Sequence, residues 1–325
     1  MAVLVRVIAL LTLGLLSFGV HADTLKLAAA PFETYITGDG EPARVNRVIN
    51  AAFEKMGQPV ELQIMREAFL GSSVRAGRVA GEFAYIDLGE KQQNLLLSKP
   101  YLPLYLYATS KKGSVKNITL VPHLKDMRIA IENKFANTPT FRLLKDVKWS
   151  RNPTAYDAYK QLADDRAPLL ITSRLLIEEF NLLLDSVNQE LLHYSAAPLV
   201  TTGFQLALNA NTPNAQVIID KFDTTTSTMQ KDGSYNELLG IHWLMKDVNQ
   251  DGVADYIGNS RITKQSAPLT GAFPLDSTLP GDESVFIIDN QTYNNFAAAQ
   301  AKLHDTPARE SLLDPEVYDT MLKRW

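Results

Sequence analysis

The chain has 325 residues, with 32 Lys and Arg against 36 Asp and Glu, a formal net charge of −4, and no cysteine. A mildly acidic balance without a basic tail excludes an electrostatic nucleic-acid binder. The missing thiols exclude disulfides, thiolate zinc centres and a cysteine nucleophile, and a chain of this length can bury a sufficient core without them.

At the N-terminus Arg6 precedes an apolar run over residues 7–20, which Val20-His21-Ala22 closes before Asp23. A basic start, a short apolar stretch and a small residue at the cut predict a cleaved secretory signal over residues 1–22. The run is short for a membrane span, and no cysteine follows it to carry a lipid. The mature chain is therefore expected to be soluble, exported and not embedded in a membrane after cleavage.

Residues 23–30 alternate and turn at Pro31-Phe32, as a first strand ending at a cleft does. Val45, Val48, Ile49, Ala52, Phe53 and Met56 recur at helical spacing, and Gly57 stops the helix. A strand over 60–65, a helix over 68–79 and a strand over 83–88 complete an alternation that predicts a parallel α/β sheet. Ligands in such sheets sit at the carboxyl ends of the strands. The alternation restarts with a strand over 128–132 and a helix opened by Thr138 as N-cap and Pro139 at the first helical position. Further strands are predicted at 148–150 and 168–172, with helices over 154–163 and 175–184. A strand over 202–208 returns, followed by helices over 212–229 and from 235 to 246. Two successive units predict two lobes. Residues 248–325 form a Pro-rich extension with a strand over 284–288 and helices near 294–303 and 315–325.

Several short segments resemble family 3 extracellular solute-binding proteins, the receptors of polar amino-acid uptake. The main one is Glu90-Lys91, a short helical turn, then Ser98-Lys99-Pro100-Tyr101. In order along the chain, Pro31-Phe32, Arg66-x-Ala68, Gly81-Glu82-Phe83, Gly203-Phe204 and Lys231-Asp-Gly-Ser-Tyr235 also match. The resemblance implies a bilobal periplasmic-binding-protein (type II) clamshell with two parallel-sheet lobes. Lobe 1 would comprise residues 23–107 and 201–247, and lobe 2 residues 108–200. It also implies capture of a small polar solute for a membrane permease of the ABC type. A sensor or interaction module of the same fold, acting on a membrane signalling partner, is the alternative, and a fused lytic enzyme a third reading.

Lys91 stands where the family carries the arginine that grips the ligand carboxylate; it is a cleft cation or a solvated lysine at a helix start. Thr138 and Thr140 match the hydroxyl residues at a helix N-terminus that hold a carboxylate, although capping alone needs only Thr138. Tyr35 is the candidate aromatic wall, with Phe32 as core. Arg66 is a cleft cation or a surface charge. Ser173 falls where the family has the aspartate that pairs with the ligand amine.

Asp247, Asn249, Asp251, Val253 and Asp255, with Gly252 at the sixth position, have the spacing of a calcium loop. Side chains at alternate positions would converge on calcium, and Val253 would offer its carbonyl, clipping the extension in place; the other reading is an acidic turn. No zincin, nucleophile-elbow, P-loop or dinucleotide motif is present, so no catalysis is expected.

Overall fold

A computed structural model describes residues 24–38, 43–89, 94–305, 307 and 309–325. The predicted signal segment and Lys91 lie outside the described residues.

Lobe 1 begins with β1 (Leu25–Ala29), α1 (Arg44–Met56), β2 (Val60–Ile64), α2 (Glu67–Arg75) and β3 (Gly81–Ile86). The six apolar positions that set the period of α1 are all buried, so this helix forms because one face covers the sheet. Gly57 ends it at φ 67, a left-handed position that glycine takes without a Cβ clash. β1 runs parallel to β2, from Leu25 opposite Val60 to Ala29 opposite Ile64, and parallel to β3 on its other side. Gly81 is required there, because a Cβ would sit 2.0 Å from the Ala207 carbonyl oxygen.

After β4 (Leu95–Leu97), the fully buried β5 (Leu102–Ser110) carries the chain into lobe 2. That lobe comprises β6 (Arg128–Glu132), α3 (Asn133–Ala136), α4 (Pro139–Arg142), β7 (Lys148–Asn152), α5 (Ala155–Ala163), β8 (Leu169–Ser173), α6 (Arg174–Ser186) and β9 (His193–Tyr194). β10 (Val200–Asn209) returns, and α7 (Ala215–Met229) and α8 (Ser234–Leu239) complete lobe 1. The main strand order is β2-β1-β3-β10-β5-β8-β6-β7. Two parallel wings, β2-β1-β3 and β8-β6-β7, thus flank the antiparallel pair β10 and β5, and those two strands carry the chain across between lobes.

Two expected helices are shorter than their sequence patterns. The one starting at Pro139, expected to run to about Val147, ends at Arg142, because the chain must turn at Asp146, whose carbonyl accepts from Asp126 N–H, before entering β7. The one starting at Ser234 ends at Leu239, where Gly240 adopts φ 67. The chain then forms β11 (Leu244–Lys246), which belongs to the C-terminal sheet although the sequence boundary put it in lobe 1. That sheet also contains β12 (Asp255–Gly258), β13 (Phe273–Pro274), β14 (Phe286–Ile288) and β15 (Gln291–Tyr293), in the order β13-β11-β12-β14-β15. Trp243, Phe286, Ile288 and Leu303, the last just beyond α9 (Phe296–Gln300), give it a core of its own.

The extension then straps back over the lobes. In α10 (Pro315–Leu322), the Tyr318 ring packs edge-on against Tyr156 of α5 at 5.2 Å and Phe180 of α6 at 5.7 Å. Its hydroxyl donates to Glu33 Oε1 in lobe 1 at 2.6 Å. Glu179 of α6 is the second tie. Its carboxylate, fully buried, accepts from Arg44 of lobe 1, which is equally buried, and from Arg309 of the extension at 2.5 and 2.9 Å. Leu312 N–H adds a further bond at 2.7 Å. Burial alone would raise the Glu179 carboxyl, but Arg309, Arg44 and the Leu312 N–H outweigh it and hold it at about 2.

Candidate functional site

The carboxyl ends of the strands of both wings face one cleft. From lobe 1 come Pro31, Phe32 and Glu33 beyond β1, Ile64 at the end of β2, Glu67 at the start of α2, and Asn46 and Arg47 near the start of α1. From lobe 2 come Glu132 at the end of β6, Lys134 in α3, and Thr154 beyond β7. This chamber measures ≈ 1410 Å³. A second chamber of ≈ 350 Å³ adjoins it, sharing Phe32, Glu67 and Lys134 and adding Glu82, Tyr85, Leu88 and Asn137.

The charges are unevenly distributed. Lys134 Nζ stands 3.2 Å from the centroid of the Phe32 ring and 3.2 Å from Glu132 Oε2, a cation held between an aromatic face and a carboxylate. Glu132 is only 4% exposed, and its Oε1 has no hydrogen-bond partner. Burial pushes the Glu132 carboxyl up, Lys134 opposes this, and Glu67 adds to the rise. Burial also raises Glu33, against the Tyr318 hydrogen bond and with repulsion from Glu132. Glu82, on β3, is pushed up to about 7 by burial and by Glu67. Carboxylates that repel one another across a partly dry cleft favour an incoming positive charge.

Of the ligand-site residues expected from sequence, Tyr35, Arg66, Thr138, Thr140 and Ser173 are not among the residues lining either chamber. Tyr35 is 1% exposed, stacked on Phe32 at 4.6 Å and tilted on Phe204 at 5.2 Å. Its hydroxyl donates to Ser173 Oγ across the lobes at 2.9 Å, and burial raises its pKa well above the ordinary phenol value. Ser173 caps α6, accepting from Leu176 N–H. The aromatic facing the cleft is Phe32, because Tyr35 is turned inward to satisfy its hydroxyl. Thr138 is buried and caps α4, accepting from Phe141 N–H, while Thr140 and Arg66 are exposed. Glu33, Glu67, Glu82, Glu132 and Lys134 carried no expectation. Glu33 and Glu132 were nevertheless findable, since each stands at the carboxyl end of a predicted strand.

In the 247–255 loop, Asp247 accepts from Gln250 and Gly252 N–H at 2.6 and 2.9 Å, and Asp251 from Val253 N–H at 2.8 Å. Asp255 accepts from Val285 and Val248 N–H. Burial raises the Asp255 carboxyl, those N–H groups oppose it, and Asp251 and Asp247 add to the rise. Among the described residues, no group of three or more His, Asp or Glu is placed to hold a metal ion.

No family model matches the chain, and no curated protein matches it in sequence. Solved structures do. The GluR0 ligand-binding core in complex with L-glutamate superposes with a TM-score of 0.56 at 11% identity, over 68% of this chain and 98% of that one. The amino-acid ABC transporter substrate-binding protein AbpA from Streptococcus pneumoniae, bound to L-arginine, gives 0.51 at 15% identity, over 66% and 93%. The chain has the periplasmic-binding-protein fold. A histidine kinase sensor domain shares it, with a TM-score of 0.50 at 15% identity, over 67% and 95%. The matched share of this chain leaves room for the C-terminal sheet and strap as additions to the periplasmic-binding-protein fold. Among the described residues, no helix is long and apolar enough to cross a membrane.

Proposed function

We propose that this chain is an exported solute-binding protein that captures a small polar solute and presents it to a membrane transporter, without chemistry. The observation that carries the reading is the polar cleft of ≈ 1410 Å³ at the strand carboxyl ends, between two lobes joined through β5 and β10. The solute would shift the population from open to closed lobes by binding both. Solved proteins of this fold include an amino-acid transporter subunit bound to L-arginine, which supports the ligand class. Export rests on the predicted signal segment. We assign Arg66 and Lys91 to any carboxylate the solute carries, with Thr138 and Thr140 at the start of α4.

A second reading, a sensor or interaction module, is favoured by one feature. The strap ties both lobes through Glu179 and Tyr318, and a histidine kinase sensor domain shares the fold. We further propose that calcium binds Asp247, Asn249, Asp251, the Val253 carbonyl and Asp255 as a structural clip, because a divalent cation would relieve the repulsion on Asp255.

A thermal-shift panel of amino acids, polyamines, small carboxylates and sugars tests the main reading. A solute at a hundredfold excess over its Kd stabilises by about 2.7 kcal/mol. A shift with a small solute supports the receptor. Binding to a membrane receptor's outer domain with no response to any solute selects the second reading.

A further inference from the structure

Four glutamates, Glu33, Glu67, Glu82 and Glu132, line the two joined chambers, against Arg47 and Lys134. Arg47 is already engaged, its guanidinium donating to the Glu237 carbonyl. Lys134 neutralises one oxygen of Glu132 and leaves the other, Oε1, buried without a partner. An unpaired carboxylate oxygen out of water carries the desolvation cost of a charged group with nothing to offset it. An arriving N–H donor that is itself positive would supply both the hydrogen bond and the countercharge.

The rest of the cleft agrees in sign. Glu33 and Glu67 both repel Glu132, and Glu67 repels Glu82, so the carboxylates form one coupled acidic track from the larger chamber into the smaller. Phe32 lines both chambers, and Lys134 Nζ rests on its ring at 3.2 Å from the centroid. That lysine shows which chemistry the site accepts: an alkylammonium on the ring with a glutamate beside it.

We propose that the cleft takes a small organic cation, an amine bearing one or more ammonium groups, with Glu132 Oε1 as its first acceptor and the Glu33–Glu67–Glu82 track holding further positive charge. The proposal rests on the solute-binding reading and names the substrate class of that same site. Lys134 is then a resident competitor for the Phe32 face. The ligand ammonium either displaces it or settles beside it on the free oxygen.

Isothermal titration of the mature chain with putrescine, spermidine, lysine and arginine, and with glutamate, glutamine and glucose, tests this. At least one of the four cations binds, and the last three do not. Glu132→Gln keeps the side-chain shape and weakens cation binding about tenfold or more, the value of one hydrogen bond to a charged group. Glu67→Gln, at an exposed position, weakens it too and serves if the Glu132 variant does not fold. Binding of glutamate, glutamine or glucose with no response to the four cations overturns the cation assignment and leaves the solute-binding reading standing. No binding by any of the seven overturns the assignment, and the thermal-shift panel then decides the reading by itself. Cation binding unchanged in both variants also overturns the assignment.

Discussion

Replacing Glu179 by glutamine removes the charge at the point where lobe 1, lobe 2 and the extension meet. Arg44 would keep its place, fully buried, without a countercharge. Breaking a buried pair from one side costs about 3–5 kcal/mol, because the remaining charge is left desolvated. The titration behaviour gives a second route to the magnitude. The carboxyl is held at about 2 against an ordinary 4.5, a difference equivalent to roughly 3 kcal/mol at neutral pH. Its folded constant is depressed, so the unfolded chain binds more protons between pH 4.5 and about 2. The stabilisation is therefore complete above 4.5 and is lost as pH falls through that window. Glu179→Gln should lower the melting temperature at pH 7 by roughly 5 °C, taking about 3 kcal/mol over the unfolding entropy of a chain of this size. The difference from the wild type should shrink towards pH 2. Thermal melts of both proteins at pH 7, 4.5 and 3 check this. A loss equivalent to less than about 1 kcal/mol at pH 7, or a difference independent of pH, would refute the reasoning, since a surface pair behaves that way.

Other predictions follow from the same geometry. Glu82, with its folded constant raised to about 7, makes stability fall as pH rises from 4.5 to 7, because the folded chain holds the proton more tightly. Glu82→Gln should flatten that slope and add up to about 3 kcal/mol at pH 8; urea unfolding at pH 5 and pH 8 measures it, and an unchanged slope counts against a buried Glu82. Arg309→Ala should destabilise less than Glu179→Gln, because Arg44 still pairs with the carboxylate; an equal loss would place the strap above the lobe contact. Calcium should raise the melting temperature of the wild type and leave that of Asp251→Ala unchanged, and no rise in the wild type would reduce the loop to an acidic turn.

Much of the fold was legible because local pattern and burial agree. The period of α1 read from Val45 to Met56 is its buried face, and the Thr138-Pro139 cap stands where the sequence put it. Where helices fell short, the limit came from tertiary geometry: the turn at Asp146 into β7, and the claim of the C-terminal sheet on Leu244–Lys246. The cleft was harder to read. Tyr35 and Ser173 carry polar groups that satisfy each other across the lobes, and sequence does not show that two hydroxyls 138 residues apart meet. Lone glutamates such as Glu82 read as surface charge until the strands bring them together. The strap was invisible for the same reason, since Arg309 and Tyr318 gain meaning only from Glu179 and Glu33.

The closing of two lobes on a solute is the central claim, and the absence of cysteine makes it directly measurable. Spin labels at Arg75→Cys on α2 and Lys160→Cys on α5, both exposed, report the distance between lobes without background labelling. The distance distribution should become shorter and narrower when the best-binding solute of the panel is saturating. An unchanged distribution with solute bound at one per chain would contradict ligand-driven closure and turn the reading towards a rigid interaction module.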